Sequence, residues 1–159
     1  MHRILELLEK NSMLTAADLA VMLDKSEEEI AAAIEQFKKD GIIVGNKLLV
    51  DWQKTSREYV TALIEVKVTP QFGKGFDQIA ERFYQYEQVK TVYLMSGAYD
   101  LALIIEGKTL NEVALFVAEQ LAPMDTVIST ATHFVLKKYK QDGILFGKPQ
   151  EDERLVMMV

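Results

Sequence analysis

The sequence predicts an α+β chain in two parts: a winged helix-turn-helix, then a ferredoxin-like β-α-β-β-α-β domain. Two observations carry this. Three short helical stretches stand ahead of Gly41 and are followed by an apolar run broken by Gly45-Asn46. From Tyr59 onward, stretches of period two and of helical period follow one another as strand, helix, strand, strand, helix, strand. The expected division is 1–52 for the first domain, 53–58 for a linker, 59–147 for the second domain and 148–159 for a tail.

Composition narrows the function classes. Of the 159 residues, 49% are hydrophobic and 26% charged, the balance of an ordinary globular protein. No apolar run approaches the roughly 18 residues of a membrane span, so no membrane partner is expected. No basic region followed by an apolar core opens the chain. There is no cysteine, which suits a cytoplasmic setting. His2 and His133 lie far apart and match no metal spacing. Phosphate-loop, dinucleotide and nucleophile-elbow fingerprints are missing, so no cofactor and no catalytic residue are assigned. Asp100 with Tyr99 is the one pair an enzyme reading has to work with. A net charge of −6 argues against a strongly electrostatic nucleic-acid binder.

The first domain begins with Ile4, Leu5, Leu7 and Leu8 on one helical stripe, ended by Asn11-Ser12. Thr15 is an N-cap, with Asp18 three residues on, and Ala16, Leu19, Ala20 and Leu23 keep helical spacing. Ser26 with Glu29 forms a capping box, and Glu27, Glu28 and Glu29 suit the positive end of the helix dipole. This third helix runs through Ile30, Ala33, Ile34 and Phe37 to Gly41 at C′. Gly45-Asn46, between Ile42 and Val50, signals a hairpin wing. A winged helix-turn-helix sends its third helix into the major groove. Contacts to DNA would then come from Lys25, Ser26, Glu28, Glu29, Ala32, Lys38, Lys39 and, on the wing, Lys47. The charges pull the other way, with six basic against ten acidic residues over 1–52. No arginine on the third helix can grip guanine. A DNA reader and a helical interaction module are both consistent with these residues.

Asp51 to Glu58 is polar, and Trp52 is expected to pack at the junction. Val60, Ala62, Ile64, Val66 and Val68 then share one face of a long strand over Tyr59–Thr69, with Thr61, Leu63, Glu65 and Lys67 on the other. Residues 70–75 form a loop. Phe76, Ile79, Ala80 and Phe83 mark a helix, and Val89–Met95 and Tyr99–Glu106 are strands. Leu110, Val113, Ala114, Val117 and Leu121 mark a second helix, stopped by Pro123, and Thr126–Tyr139 is the fourth strand. Right-handed crossovers place both helices on one side of the sheet. The other side has nothing to cover it and suits a dimer interface. The fourth strand would support that interface with Ala131 and Val135, opposite a second apolar set of Ile128, Phe134 and Leu136. His133 is read as a satisfied sheet residue. Leu155–Val159 is an apolar tail that either adds an edge strand or frays.

Between the second and third strands stands Ser96-Gly-Ala-Tyr-Asp100. Glycine permits positive φ there, and aspartate can bond nearby amides. Backbone N–H groups, a ring and a carboxylate thus come together, a set able to hold a small molecule with both amine and carboxylate.

Thr15-Ala-Ala-Asp-Leu-Ala20, Asp40-Gly-Ile-Ile43 and Ser96-Gly-Ala-Tyr-Asp-Leu101, in that order on this frame, resemble the Lrp/AsnC (feast/famine) regulators over residues 1 to about 147. The resemblance implies a transcription regulator whose second, RAM or ACT-like, domain dimerises and assembles into tetramers or octamers. It implies a small effector, usually an amino acid, near the turn and the facing strand. Here that means Ser96, Gly97, Ala98, Tyr99 and Asp100, with Thr130 and Thr132 by position. DNA-binding members carry serine and arginine on the third helix, where this chain has Glu27–Glu29 and Ala31–Ala33. That difference motivates a second reading, an amino-acid-binding oligomerisation module that has lost DNA recognition.

Overall fold

The computed structural model describes residues 2–69 and 75–147. The 70–74 part of the expected loop and the tail from Lys148 lie outside them. The chain forms two compact units, Met1–Val50 and Asp51–Val159.

The first unit holds α1 (His2–Lys10), α2 (Ala16–Leu23) and α3 (Glu27–Lys39). Ile4, Leu19, Ala20, Ile30 and Phe37 form its core. Local chemistry sets each helix end. Thr15 and Asp18 complete a capping box at the start of α2. Asp24 takes the left-handed conformation (φ 53°) that turns the chain from α2 into α3. Gly41 (φ 69°) closes α3 in a Schellman motif, with the Ile42 amide donating to Phe37 O at 2.9 Å.

Two expectations fail here. The capping box at Ser26 is half formed. Ser26 Oγ accepts from the Glu29 amide at 3.1 Å, but the Glu29 carboxylate turns to the Lys25 ammonium, a charge-assisted partner stronger than a neutral amide. The hairpin wing also does not form. Residues 44–50 carry no strand, and Gly45 is not among the glycines with positive φ. A two-residue hairpin turn needs positive φ at its first central position. Strands this short with no third strand beside them are marginal in water.

The second unit is a four-stranded antiparallel sheet in the order β2-β3-β1-β4, with β1 at Val60–Val68, β2 at Val89–Leu94, β3 at Leu101–Gly107 and β4 at Val127–Phe134. α4 (Gly75–Tyr84) lies against β2, and α5 (Leu110–Phe116) lies against β3 and β1. The alternation read from β1 holds: Ala62, Ile64, Val66 and Val68 are buried with Ile79, Phe83, Val113, Phe116 and Leu121. Both helices therefore cover the same face. The second helix does not stay α-helical to Leu121; a π-helical turn takes Val117–Leu121.

β4 stops at Phe134, short of the expected Tyr139. The Val135 amide donates to Thr61 O at 2.9 Å, and β1 begins at Val60, so the partner strand ends there. A small hairpin follows instead, of β5 (Lys140–Gln141) and β6 (Ile144–Leu145). Its turn is Asp142-Gly143 with φ 48° and 82°, a dipeptide that suits a two-residue turn. A bulge between Lys67 and Val68 shifts the β1–β4 register. The second apolar set does not hold together: Phe134 packs on the core, whereas Ile128, at the bulge, is 59% exposed and Leu136, beyond the end of β4, is 91% exposed. Trp52 packs within the second unit, under the Arg57 guanidinium at 4.3 Å and 6.4 Å from the Tyr59 ring.

Candidate DNA-contact and effector sites

α3 buries Ile30 and Phe37 and half-buries Ala33 and Ile34. A helix that buries i, i+3, i+4 and i+7 turns the opposite stripe outward. Here that stripe is Glu28, Ala31, Ala32, Glu35 and Lys39, all exposed. Of the eight DNA-contact candidates, Ser26 is engaged as the N-cap. Lys25 pairs with Glu29, and Lys38 Nζ pairs with Glu35 at 2.7 Å. The Lys38 ammonium, beside Glu35, holds that carboxyl below the usual range. Glu28, Ala32 and Lys39 stand on the outward stripe. Lys47 is exposed on the extended segment where the wing was expected.

The Ser96–Asp100 turn is closed at its base. The Met95 amide donates to Asp100 O at 2.8 Å, and the Asp100 amide donates to Val66 O at 3.1 Å. Asp100 Oδ2 accepts from the Val68 amide at 2.9 Å. Its carboxylate thereby extends the β1–β3 ladder past Leu101. Above this base Ser96, Gly97 and Ala98 are exposed, and their amides make no hydrogen bond among the described residues. Gly97 has φ 154°, and a Cβ there would meet nothing within 4 Å. Backbone conformation, not space, favours glycine.

Thr130 stands opposite Val66 and Thr132 opposite Ile64, on the face the helices cover. Val66 is also paired with Leu101, the residue after Asp100. One strand thus separates the threonines from the turn. The open face carries Tyr93, Ala102, Glu65 and Ala131 across the strands, with Ile104, Leu63 and His133 in the adjoining row. His133 Nε2 lies 3.6 Å from Glu65 Oε1, beyond hydrogen-bond distance.

At the far end of the sheet from the turn is a cavity of about 540 Å³ that the sequence did not announce. None of the seven effector candidates lines it. Its residues come from four places between Ser56 and Glu112, so no local spacing betrays it. The one local signal is Thr109 with Glu112, the N-cap pattern at the start of α5.

Comparison with known proteins accounts for both units. Residues 2–44 match the family model for winged helix-turn-helix DNA-binding, and residues 61–145 match that for the Lrp/AsnC ligand binding domain. A Bacillus subtilis relative, the uncharacterized HTH-type transcriptional regulator YugG, is 44% identical over 155 residues, covering 97% of this chain and 93% of its own. Among solved structures, Escherichia coli AsnC superposes with a TM-score of 0.67 at 22% identity, covering 87% of this chain and 91% of its own. The Neisseria meningitidis regulator NMB0573, in complex with L-Met, superposes with a TM-score of 0.71 at 21% identity, covering 92% of each chain. The match over the helix-turn-helix does not favour a chain that has lost DNA recognition. With a DNA-binding helix-turn-helix and a ligand-binding sheet domain, this chain belongs to the Lrp/AsnC family of transcriptional regulators.

Proposed function

We propose that this regulator reads operator DNA through α3 as a dimer or higher assembly, and that an amino acid at the Ser96–Asp100 turn governs that assembly. The observation that carries the DNA half is the outward stripe of α3, exposed along its whole length. Glu28 on this stripe accepts from cytosine amino groups, and Ala32 meets thymine methyls. Lys39 and Lys47 neutralise phosphate. Lys25 and Lys38 are engaged by Glu29 and Glu35, so few cations remain to displace counterions, and binding depends shallowly on salt.

The open sheet face, with Leu63, Ile104 and Tyr93, supports pairing of two copies. The exposed amides of Ser96, Gly97 and Ala98, unbonded among the described residues, support an effector carboxylate there. The complex of NMB0573 with L-Met supports an amino acid as its class. Thr130 and Thr132 would contribute across the edge strand from a neighbouring copy. The division into 1–52, 53–58 and 59–147, and a cytoplasmic setting, belong to the same proposal.

Filter binding to the DNA upstream of its own gene, across a salt series, tests the DNA half. Binding tighter than to random DNA is expected. Equal affinity for both at low salt would overturn it.

A further inference from the structure

The cavity beyond the β3 end of the sheet has an unusual division of charge. Arg57, Lys90 and Lys108 line it together with Glu58, Glu106 and Glu112. Among the described residues, none of the three cations forms an ion pair within 4 Å. Glu106 and Glu112 are held instead by neutral donors. Tyr59 donates its hydroxyl to Glu106 Oε1, and the Lys108 amide donates to Glu112 Oε2 at 2.7 Å. Burial, then the bond to Glu106, pushes the Tyr59 hydroxyl up to about 12, so it remains a donor at neutral pH. Arg57 is oriented by stacking on Trp52, and Lys90 Nζ donates to Glu87 O at 2.6 Å. Gly107 lets the start of α5 approach: a Cβ there would stand 2.9 Å from Val113 Cγ2 and 3.5 Å from the Glu112 carboxylate.

Cations without carboxylate partners beside carboxylates held in place suit a ligand that brings both signs. A simple anion would meet Glu58, Glu106 and Glu112, and a simple cation would meet three positive groups. The volume lies within the range of small-molecule sites. We infer that this cavity is a second amino-acid subsite, separate from the turn, in which Arg57 and Lys108 take the carboxylate and Glu106 takes the ammonium. The inference rests on reading the chain as amino-acid-responsive.

The test measures thermal shifts of the full chain with each of the twenty L-amino acids. It compares wild type with the double variant Arg57→Met/Lys108→Met, with Lys108→Arg, and with Ala98→Trp, which blocks the turn. These are exposed positions, so the folded state should survive each change. At least one amino acid should still shift Ala98→Trp and should bind the double variant ~10-fold or more weakly, the scale of lost charged hydrogen bonds. Lys108→Arg should retain that binding. The corresponding amine, lacking the carboxylate, should not bind at the cavity. Shifts in the double variant equal to wild type for every amino acid would overturn the cavity and leave the turn standing. Shifts unchanged in Ala98→Trp but lost in the double variant would uphold the cavity and remove the turn as a site. No shift of wild type with any amino acid would overturn both.

Discussion

Asp100 was legible as a polar turn residue, but its carboxylate does more than face solvent. One oxygen accepts from the Val68 amide at 2.9 Å, two strands' ends being joined by a side chain. Removing it leaves a partly buried amide unpaired, which costs about 1–3 kcal/mol. Asp100→Ala should therefore lower the urea midpoint, whereas Asp100→Asn, whose amide oxygen still accepts, should recover most of the loss. Equal destabilisation by both would refute this role. The same geometry bears on effector assays: a signal lost in Asp100→Ala mixes lost binding with a loosened strand end. Ala98 is the cleaner position to probe. The threonines carry a related lesson. Thr130 and Thr132 were singled out by place along the strand, but pairing with Val66 and Ile64 turns them toward the helix-bearing face. Register decides a strand's facing, and register depends on the partner strand.

Helix ends show how far local chemistry reaches. Thr15 with Asp18 and Gly41 behaved as their residue types require, because their partners lie within one turn. Ser26 with Glu29 did not complete its box, because Lys25 offers the Glu29 carboxylate a better partner. The left-handed Asp24 between α2 and α3 is a position where glycine has no Cβ penalty. A carboxylate there also opposes the negative end of the α2 dipole. Asp24→Gly should stabilise the first unit by up to about 1 kcal/mol, the entropy of a freer unfolded chain offsetting part of the gain. Urea unfolding with an unchanged m value checks this, and a lowered midpoint would show that Asp24 makes a compensating contact. The wing failed for the opposite reason. Gly45-Asn46 is a permissive turn signal, but a hairpin also needs strands with something to pack against.

For the molecule as a whole, two cores share no residue: one around Leu19 and Ile30, the other around Ile64 and Phe83. Ile30→Ala should cost about 2–5 kcal/mol and Phe83→Ala about 3–5 kcal/mol. Hydrogen exchange should register the first as lost protection in α1–α3 with β1–β3 amides unchanged, and the second as the reverse. Loss of protection across both units from either change would mean that they unfold as one.

The sequence by itself determined the two-part α+β plan, the order of its elements and the buried face of β1. It also determined most helix caps and the family, through short motifs in a fixed order. Each of these depends on periodicity or on groups a few residues apart. Tertiary structure alone decided where β4 ends, which face Thr130 and Thr132 occupy and what the Asp100 carboxylate holds. It alone assembled the cavity of Arg57, Lys90, Glu106 and Lys108. Those features join residues far apart in the chain, and only strand pairing brings them within reach of one another.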